Sequence, residues 1–428
     1  MFKVLVIAYY FPPMGLNAVQ RSMKFVKYMN SYNWEPTVIT TSSGGFIATD
    51  ESLLEELNEK GIRIIRVPHK TFLSGPTRDG IIKLRREFFR GIINKLTKTF
   101  FIPDNKSSWA KKAFLKSQEL LKEEKFDAVF ITAPPFSVFG VFSKLKKMFN
   151  IPLIIDYREL WNNSYYSFYP TPVHKMLNKK KEYNILKAAD KIIVSNRKIK
   201  ERILNSYQFL TFNDILIITN GFDPEDFEKA IVIPKHNNRM IILYSGIFQI
   251  YNTPKYFFKA FKELSIEKPE IAKNIELHFL GFIRNENKKL INKLNLQEFI
   301  FDHGYVSHKE AVAKLLSADV LWMTVWKKKN IDALVPGKLY EYIAAKKPVI
   351  ACVPEGAARV AAQEYPASYI CNPTDIYEIK ETIIRVYEHY MASKFPQVDD
   401  NFLTNFRRDY LTEKLTKEFQ FSVKADVR

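Results

Sequence analysis

Residues 335–354 read VPGKLYEYIAAKKPVIACVP, a helical stretch that opens on Pro-Gly-Lys and runs into an apolar strand. Pro336 suits the first turn of a helix, where its missing N–H has no intrahelical partner to lose. Gly337 lets another group approach the backbone closely. A continuous apolar run such as 349–353 is typical of a parallel strand covered on both faces. The stretch therefore indicates a helix that leads into a buried parallel strand.

The same alternation of apolar runs and helical stretches extends along all 428 residues. Such alternation joins parallel strands through right-handed crossovers. Two series of this kind predict an α/β fold with two Rossmann-like domains. The predicted strands are 3–8, 37–40, 63–67, 128–132, 153–156, 191–195 and 215–219, then 240–244, 276–280, 299–302, 320–324, 349–353 and 368–370.

A turn-rich acidic segment, NGFDPEDFEK at 220–229, separates the two series. We therefore predict an N-terminal domain over 1–228 and a C-terminal domain over 229–403. The last helical stretch follows the second series, and we expect about 404–428 to cross back onto the first domain. Its apolar positions are Phe406, Leu411, Leu415 and Phe419.

Composition sets broad limits. Hydrophobic residues make up 46% of the chain, which supports a sizeable core, and no run is long enough to span a membrane.

The start, MFKVLVIAYYFPP, predicts a buried strand rather than a signal peptide. Cys352 and Cys371 predict reduced core residues of a cytoplasmic protein. The net charge of +19 attracts nucleic acid, anionic lipid or phosphorylated substrates.

The quoted stretch also indicates an anion site. The first amides of a helix lack intrahelical acceptors, and the helix dipole favours an anion there. Lys338 adds a positive charge, and Glu341, on the same face, can accept hydrogen bonds from the two hydroxyls of a ribose. The alternative is a surface helix with a Lys–Glu pair worth about 0.2–0.5 kcal/mol.

Two other segments follow predicted strands in the first half. In YYFPPMGLNAVQR (9–21), Gly15 and Asn17 lie where a loop turns into a helix, which suits a second anion-facing loop or a plain strand-to-helix turn. In IPLIIDYRELWNN (151–163), Asp156 ends a strand and Arg158 follows it. Charged residues at that end of a strand indicate a ligand site or a structural salt bridge.

The segment 78–116 is basic, and its apolar residues recur near helical spacing. This pattern is typical of a helix that binds a membrane surface, although the apolar face could equally be core. We place Trp109 in the same membrane or acceptor patch. No zinc-finger spacing or RNA-binding motif supports nucleic acid as the partner. The basic residues of the predicted patch are Lys83, Arg85, Arg86 and Arg90.

Several catalytic signatures are absent from the sequence. It contains no Asp-x-Asp, HExxH, CxxC, Walker loop, GxSxG or GxGxxG. Its seven histidines are scattered, which favours structural or solvent-facing positions. We therefore expect neither a metal nor an organic cofactor.

The order of motifs is more specific than any one of them. YYFPPMGLNAVQRSMKFVKYM, IPD, APPFS, DYRELW, ADKIIVSN, ITNGFDPEDF, ILYSGIF, HFLGF, FDHGYVSHKEAVAKLLSADVLWM and VPGKLYEYIAAKKPVIA run through nearly the whole chain. Together they resemble retaining glycosyltransferases of family four, and a subgroup found in surface-polysaccharide gene clusters. The resemblance implies the GT-B fold, with two Rossmann-like domains facing a central cleft.

The resemblance also implies site residues. Glu341 matches the second Glu of the Glu-x7-Glu pattern of the family and would bind the donor ribose. Lys338 and the amides near Gly337 would face the diphosphate, and Asp156 falls near a His that many relatives place beside the transferred sugar. Lys338, Asp156 and Arg158 are the predicted catalytic residues. The predicted donor-binding residues are Gly15, Asn17, Gly246, Lys255, Gly281, Pro336, Gly337, Lys338, Leu339 and Glu341.

The chain departs from the family pattern at several positions. Ala333 replaces the first Glu of the pair, and Ile247 and Asn252 stand where many relatives have Arg and Lys. Lys255 could substitute for the basic pair, or Lys338 could carry that role alone. The first loop has Gly15-Leu16 in place of Gly-Gly.

The function implied is metal-independent transfer of a sugar, with retention, from a nucleotide diphosphate sugar to a glycan or polyprenyl-linked acceptor. We expect a cytoplasmic protein at the inner face of the cytoplasmic membrane, held by anionic lipid. A nucleotide-sugar epimerase on the same fold and a non-catalytic nucleotide or polyanion binder remain alternatives. The sequence leaves the oligomeric state open.

Overall fold

The computed structural model describes residues 1–15, 17–42, 49–69, 99–248 and 252–426. The chain divides into two compact units. Unit 1 comprises 1–220 together with 408–428, and unit 2 comprises 221–407.

Unit 1 contains a seven-stranded parallel sheet in the order β3-β2-β1-β4-β5-β6-β7. Its strands are β1 (Phe2–Ile7), β2 (Trp34–Thr41), β3 (Arg63–Val67), β4 (Ala128–Ala133), β5 (Leu153–Tyr157), β6 (Lys191–Val194) and β7 (Ile215–Ile217). Its first helices are α1 (Asn17–Met29), α2 (Ser52–Glu59), α3 (Ser107–Glu123), α4 (Ser137–Phe142), α5 (Leu145–Phe149), α6 (Pro172–Ala188) and α7 (Arg197–Ser206).

Unit 2 contains a six-stranded parallel sheet in the order β10-β9-β8-β11-β12-β13. Its strands are β8 (Met240–Ser245), β9 (Ile275–Leu280), β10 (Ile300–Asp302), β11 (Val320–Thr324), β12 (Val349–Cys352) and β13 (Ser368–Cys371). Its helices are α8 (Pro224–Glu228), α9 (Lys255–Glu267), α10 (Pro269–Ala272), α11 (Asn285–Lys293), α12 (His308–Ser317), α13 (Lys338–Ala344), α14 (Ala357–Glu364), α15 (Ile376–Met391) and α16 (Asp400–Thr404).

The prediction of two Rossmann-like α/β domains is confirmed, and every predicted strand is present. Their apolar runs are buried because helices cover both faces of a parallel sheet. The boundary between the units lies at 220/221, eight residues before the predicted one at 228/229. Phe222 explains the shift, because its N–H donates to the Phe406 carbonyl (3.0 Å) within unit 2.

The last helix, α17 (Arg408–Asp426), belongs to unit 1. Leu411, Leu415 and Phe419 are buried with the core side chains of β1 and β4, and the Phe419 ring packs edge-on to Trp34 (5.1 Å between centroids). Phe406, which the sequence grouped with these residues, lies instead in unit 2, against the Tyr340 ring (5.4 Å). The chain turns before α17 begins, so Phe406 is not part of that helix.

Cys352 and Cys371 occupy registered positions on neighbouring strands of unit 2. Both are buried free thiols, with 3.4 Å between the two Sγ atoms. Among the described helices, none is long and apolar enough to cross a membrane.

Candidate active site

The candidate site of unit 2 lies where the strand order reverses. β8 and β11 are neighbours, while the chain continues from β8 to β9 on the opposite side. In open parallel sheets, ligands bind at the carboxyl ends of the strands that flank such a point. The Tyr342 hydroxyl of α13 accepts from the Ser245 N–H (2.9 Å) and donates to the Trp322 carbonyl (3.2 Å). It thereby fixes α13 against the ends of both strands.

Lys338, the first residue of α13, reaches into this position. Its Nζ lies 3.7 Å from the centroid of the Tyr244 ring. A cation over an aromatic face is attracted by the ring quadrupole. Tyr244 is itself fixed, because Asn252 Nδ2 donates to its hydroxyl (2.8 Å). Sequence reasoning missed Tyr244, although its position two residues before Gly246 was a usable signal.

Burial changes the chemistry of Lys338. Loss of solvent lowers the pKa of its amine to about 7, and the nearby charge of Glu341 opposes that change. Near neutral pH the amine is therefore divided between its charged and neutral forms. An anion beside Nζ would favour the charged form.

Two glycines form a close backbone contact next to Lys338. Gly246 has φ +122°, and a Cβ at this position would lie 3.1 Å from Lys338 Nζ. Gly281, with φ +113°, would place a Cβ 2.6 Å from the Gly246 carbonyl oxygen. Both need glycine for their conformation, and Gly281 needs it for space as well, because its Cβ would meet backbone. The ends of β8 and β9 thus present backbone rather than side chains beside the amine.

The start of α13 differs from the predicted anion site. The Leu339 N–H donates to the Pro336 carbonyl and the Tyr340 N–H to the Gly337 carbonyl, each at 3.1 Å. Because these two N–H groups already donate to carbonyls, the start of α13 can offer an anion at most the N–H groups of Gly337 and Lys338. The Leu339 side chain is fully buried, which makes Leu339 an anchor of the helix rather than a side-chain contact for a ligand.

Three residues bear on the departures from the family pattern, and their surroundings differ: Asn252, Lys255 and Ala333. Asn252 is buried and donates a hydrogen bond to the Tyr244 hydroxyl. Lys255 is exposed at the start of α9, with its Nζ 5.5 Å from the Tyr256 ring. Ala333 is buried. Lys338 is therefore the lysine that the structure associates with the Tyr244 ring and the glycine backbone.

In unit 1, Asp156 forms a buried ion pair, which favours a structural role, and its catalytic role stays a prediction. Its side chain is fully buried at the end of β5 and accepts from Arg21 Nε (3.1 and 3.0 Å) and Nη2 (2.8 Å). Thr132 Oγ1 donates to the same carboxylate (3.0 Å), while Arg21 Nη1 donates to the Thr219 carbonyl (2.7 Å). This ion pair joins α1 to the strand ends and leaves the carboxylate fully occupied.

Beside this ion pair lies a second polar group, formed by Tyr10, Arg158 and Glu159. Burial raises the pKa of the Glu159 carboxyl, and the charge of Arg158 opposes the rise. Burial and the charges of Asp104 and Glu159 raise the pKa of Tyr10 to about 12. Tyr10 was not predicted, and Glu159, the second residue after β5, was noted beside Arg158 in DYRELW but not assigned to the site.

The structure contradicts one part of the predicted membrane or acceptor patch of unit 1 and does not describe the rest. Trp109 is fully buried and packs edge-on to the Tyr9 ring (4.9 Å), so its place in a membrane or acceptor patch was wrong. Gly15 is buried just before α1, which begins at Asn17. The basic positions of the patch lie outside the described residues: Lys83, Arg85, Arg86 and Arg90.

The two Rossmann-like units match the GT-B fold. Residues 22–226 match the model of Glycosyltransferase Family 4, and 225–397 match that of Glycosyl transferases group 1. The chain belongs to this family of glycosyltransferases. No curated protein matches it.

Solved structures share the fold over nearly the whole chain. The sucrose-phosphate synthase of Thermosynechococcus elongatus is 13% identical, with 99% and 100% of the two chains covered and a TM-score of 0.70. Anabaena Alr3699/HepE, solved in complex with UDP, is 11% identical (98% and 100% covered, TM-score 0.64). WaaG, a glycosyltransferase involved in lipopolysaccharide biosynthesis, is 14% identical (99% of both chains covered, TM-score 0.56).

Proposed function

We propose that the protein transfers a sugar, with retention, from a nucleotide diphosphate sugar to a hydroxyl of a glycan or polyprenyl-linked acceptor. The reaction would take place at the inner face of the cytoplasmic membrane, during synthesis of a cell-surface polysaccharide. The family assignment and the UDP complex of one structural neighbour support the nucleotide donor. The lipopolysaccharide role of WaaG supports a glycan product.

One observation carries this proposal, the position of Lys338 Nζ over Tyr244 beside the Gly246 backbone. When the donor breaks, negative charge develops on the leaving diphosphate. A positioned ammonium in a partly buried site stabilises that charge without reorganisation of solvent. Since its pKa is about 7 in the unliganded protein, donor binding would draw a proton onto the amine.

Glu341 is proposed as the ribose ligand. It lies one helical turn after Lys338, on the same face of α13. Its carboxylate can accept hydrogen bonds from both ribose hydroxyls while the lysine faces the diphosphate. The same pair of residues would thus fix the orientation of the nucleotide.

We propose that transfer needs no divalent metal. The sequence has no Asp-x-Asp motif to hold a metal–diphosphate pair, and Lys338 supplies positive charge in its place. Activity in the presence of EDTA should equal activity with added Mg²⁺ or Mn²⁺. Activity that disappears on chelation and returns with metal would contradict this part of the proposal.

A thermal-shift screen of nucleoside diphosphate sugars tests the donor site, because a ligand of the folded state raises its melting temperature. The best ligand should lose its effect in Lys338→Ala and Glu341→Ala. Lys289→Ala, at an exposed lysine of α11, is the matched control and should respond like the wild type. An equal response in all three variants would place the donor elsewhere.

Ala333 favours one alternative, a nucleotide-binding relative without transferase activity, because it removes a carboxylate that the family usually has. Incubation with donor alone, and then with donor and a polyprenyl-linked acceptor, separates the possibilities. A transferase forms product only with the acceptor, an epimerase converts the donor alone, and a binding protein leaves both unchanged.

A further inference from the structure

Helix α6 of unit 1 exposes apolar residues and buries polar ones over most of its length, while Ile185 and Leu186 near its end are buried. Helices at a protein surface normally bury apolar residues and expose polar ones. On α6, however, Asn178 and Glu182 are buried. Val173 and Met176 are 56% and 61% exposed, and Leu177 and Tyr183 are 36% and 39% exposed. Met176 and Leu177 follow Val173 by three and four residues, and Tyr183 follows Met176 by seven, which places all four along one side of the helix.

Buried hydrogen bonds fix this orientation. Glu182 accepts from the hydroxyls of Tyr157 and Tyr207 and from Asn162 Nδ2. Asn178 accepts from Trp161 Nε1 (2.9 Å). Turning the helix to bury its apolar side would break all of these bonds and leave buried polar groups unpaired, which is costly. The apolar side therefore faces outward because the inner side supports the segment after β5.

Exposed positions of α6 also carry positive charge, with Lys180 and Lys187 on the apolar side. Lys175, Lys179, Lys180 and Lys187 are exposed, while Glu182, the single acidic residue of the helix, is buried. Lysine stems can lie along an apolar layer while their ammonium groups stay in water. A row of apolar residues with flanking lysines is the composition that lies flat in the interface of an anionic bilayer.

Neighbouring segments extend this surface at both ends of α6, which is about 25 Å long. At its start, the Thr99 carbonyl accepts from His174 Nε2 (3.1 Å), and the adjacent Phe100 is 77% exposed. At its end, Tyr183 packs edge-on to Phe209 (4.9 Å between centroids), which is also exposed. The α6 surface, as we call it, comprises Phe100, Val173, Met176, Leu177, Tyr183 and Phe209.

We infer that the α6 surface docks unit 1 onto an anionic lipid bilayer, with the apolar residues entering the headgroup layer and the lysines contacting lipid phosphates. The inference deepens the proposed function and rests on it for its purpose, since a polyprenyl-linked acceptor lies in such a bilayer. The docking itself needs neither donor nor acceptor.

Co-sedimentation of the full chain with vesicles tests the inference. Binding should require phosphatidylglycerol in phosphatidylcholine vesicles and should fall as NaCl is raised from about 0.1 to about 1 M, where charge screening is strong. The triple change Lys179→Glu, Lys180→Glu and Lys187→Glu should weaken partitioning by about tenfold or more. Met176→Ser with Leu177→Ser should weaken it without any change of charge.

The matched control is Lys289→Glu, Lys293→Glu and Lys309→Glu, which changes net charge equally at exposed lysines of unit 2. It should bind vesicles like the wild type. An equal loss in both triple variants would assign binding to net charge and overturn the inference. So would full binding by the Met176→Ser, Leu177→Ser variant, or a wild-type dimer that this variant dissociates in sedimentation velocity.

Nucleotide binding keeps the two proposals separate. A protein that binds nucleotide sugar but no anionic vesicle refutes the α6 surface and leaves the transferase intact. A protein that binds vesicles through α6 but no nucleotide refutes the donor site and leaves the docking surface intact. The α6 variants should retain the thermal shift of the wild type with its nucleotide sugar.

Discussion

Lys338 Nζ lies 3.7 Å from the centre of the Tyr244 ring, and this contact joins the first residue of α13 to the carboxyl end of β8. It places an amine with a lowered pKa beside glycine backbone at the switch point of the sheet.

Lys338→Met should abolish most transfer and yet stabilise the protein. Removing a group that stabilises developing charge typically costs about 10²–10³ in turnover. The lowered pKa means that burial disfavours the charged amine, a cost that methionine does not carry. Transfer rates and urea unfolding of both proteins check this. A variant with reduced turnover and reduced stability would show that Lys338 is needed for folding instead.

The stability gain of Lys338→Met should depend on pH in a defined direction. The amine has a pKa of about 7 when folded and 10.5 when unfolded, so the unfolded chain binds the proton more tightly. The gain should be greatest below pH 7 and should shrink as pH rises from 7 to 10.5. A gain that does not vary with pH would contradict the lowered pKa.

Donor use should weaken as pH rises through about 7. The free protein must carry the protonated amine to attract a diphosphate, and above its pKa that form declines tenfold per pH unit. We expect kcat/KM for the donor to follow this decline. Lys338→Arg keeps its charge throughout and should lower activity but flatten the profile. An arginine variant with the wild-type profile would assign the pH dependence to another group.

Comparison of Tyr244→Phe with Tyr244→Leu separates the contribution of the aromatic ring from that of the hydroxyl group. Phenylalanine keeps the aromatic face under Nζ and loses the bond from Asn252. Leucine loses the face, worth about 0.5–2 kcal/mol, or roughly two- to thirtyfold in affinity. Calorimetry with the nucleoside diphosphate that binds the wild type should show a larger loss for leucine. Equal losses would mean that the ring does not hold the lysine.

Arg21 and Asp156 should behave as a structural pair. Removing one partner of a buried ion pair leaves an uncompensated charge and costs about 3–5 kcal/mol. Arg21→Met and Asp156→Leu should each destabilise unit 1 by that order, and the double variant should be less destabilised than their sum. Urea unfolding measures this. Asp156→Asn with normal stability but no turnover would support a catalytic role for Asp156.

The sequence predicted the sheets well, because parallel strands buried on both faces have apolar runs that need no tertiary information. It identified Lys338 from its place after Pro-Gly, but not Tyr244, because a cation–π contact joins residues that are distant along the chain. It did not identify Arg21 as the partner of Asp156, and it misplaced Trp109, for a related reason. The Asp156 carboxylate at a strand end is typical of a ligand group, because the sequence does not show that Arg21, 135 positions earlier, pairs with it. Trp109 lies in a basic segment and was expected to be exposed, because the sequence does not show that the Tyr9 ring packs against it.

The two buried thiols of unit 2 have a practical consequence. The chain has no other cysteine, and burial raises the pKa of Cys352 and shields both sulfur atoms from reagents. A probe attached through Lys180→Cys would therefore label one position without prior removal of native cysteines. Fluorescence quenching by lipids brominated at chosen depths could then report how far α6 enters the bilayer.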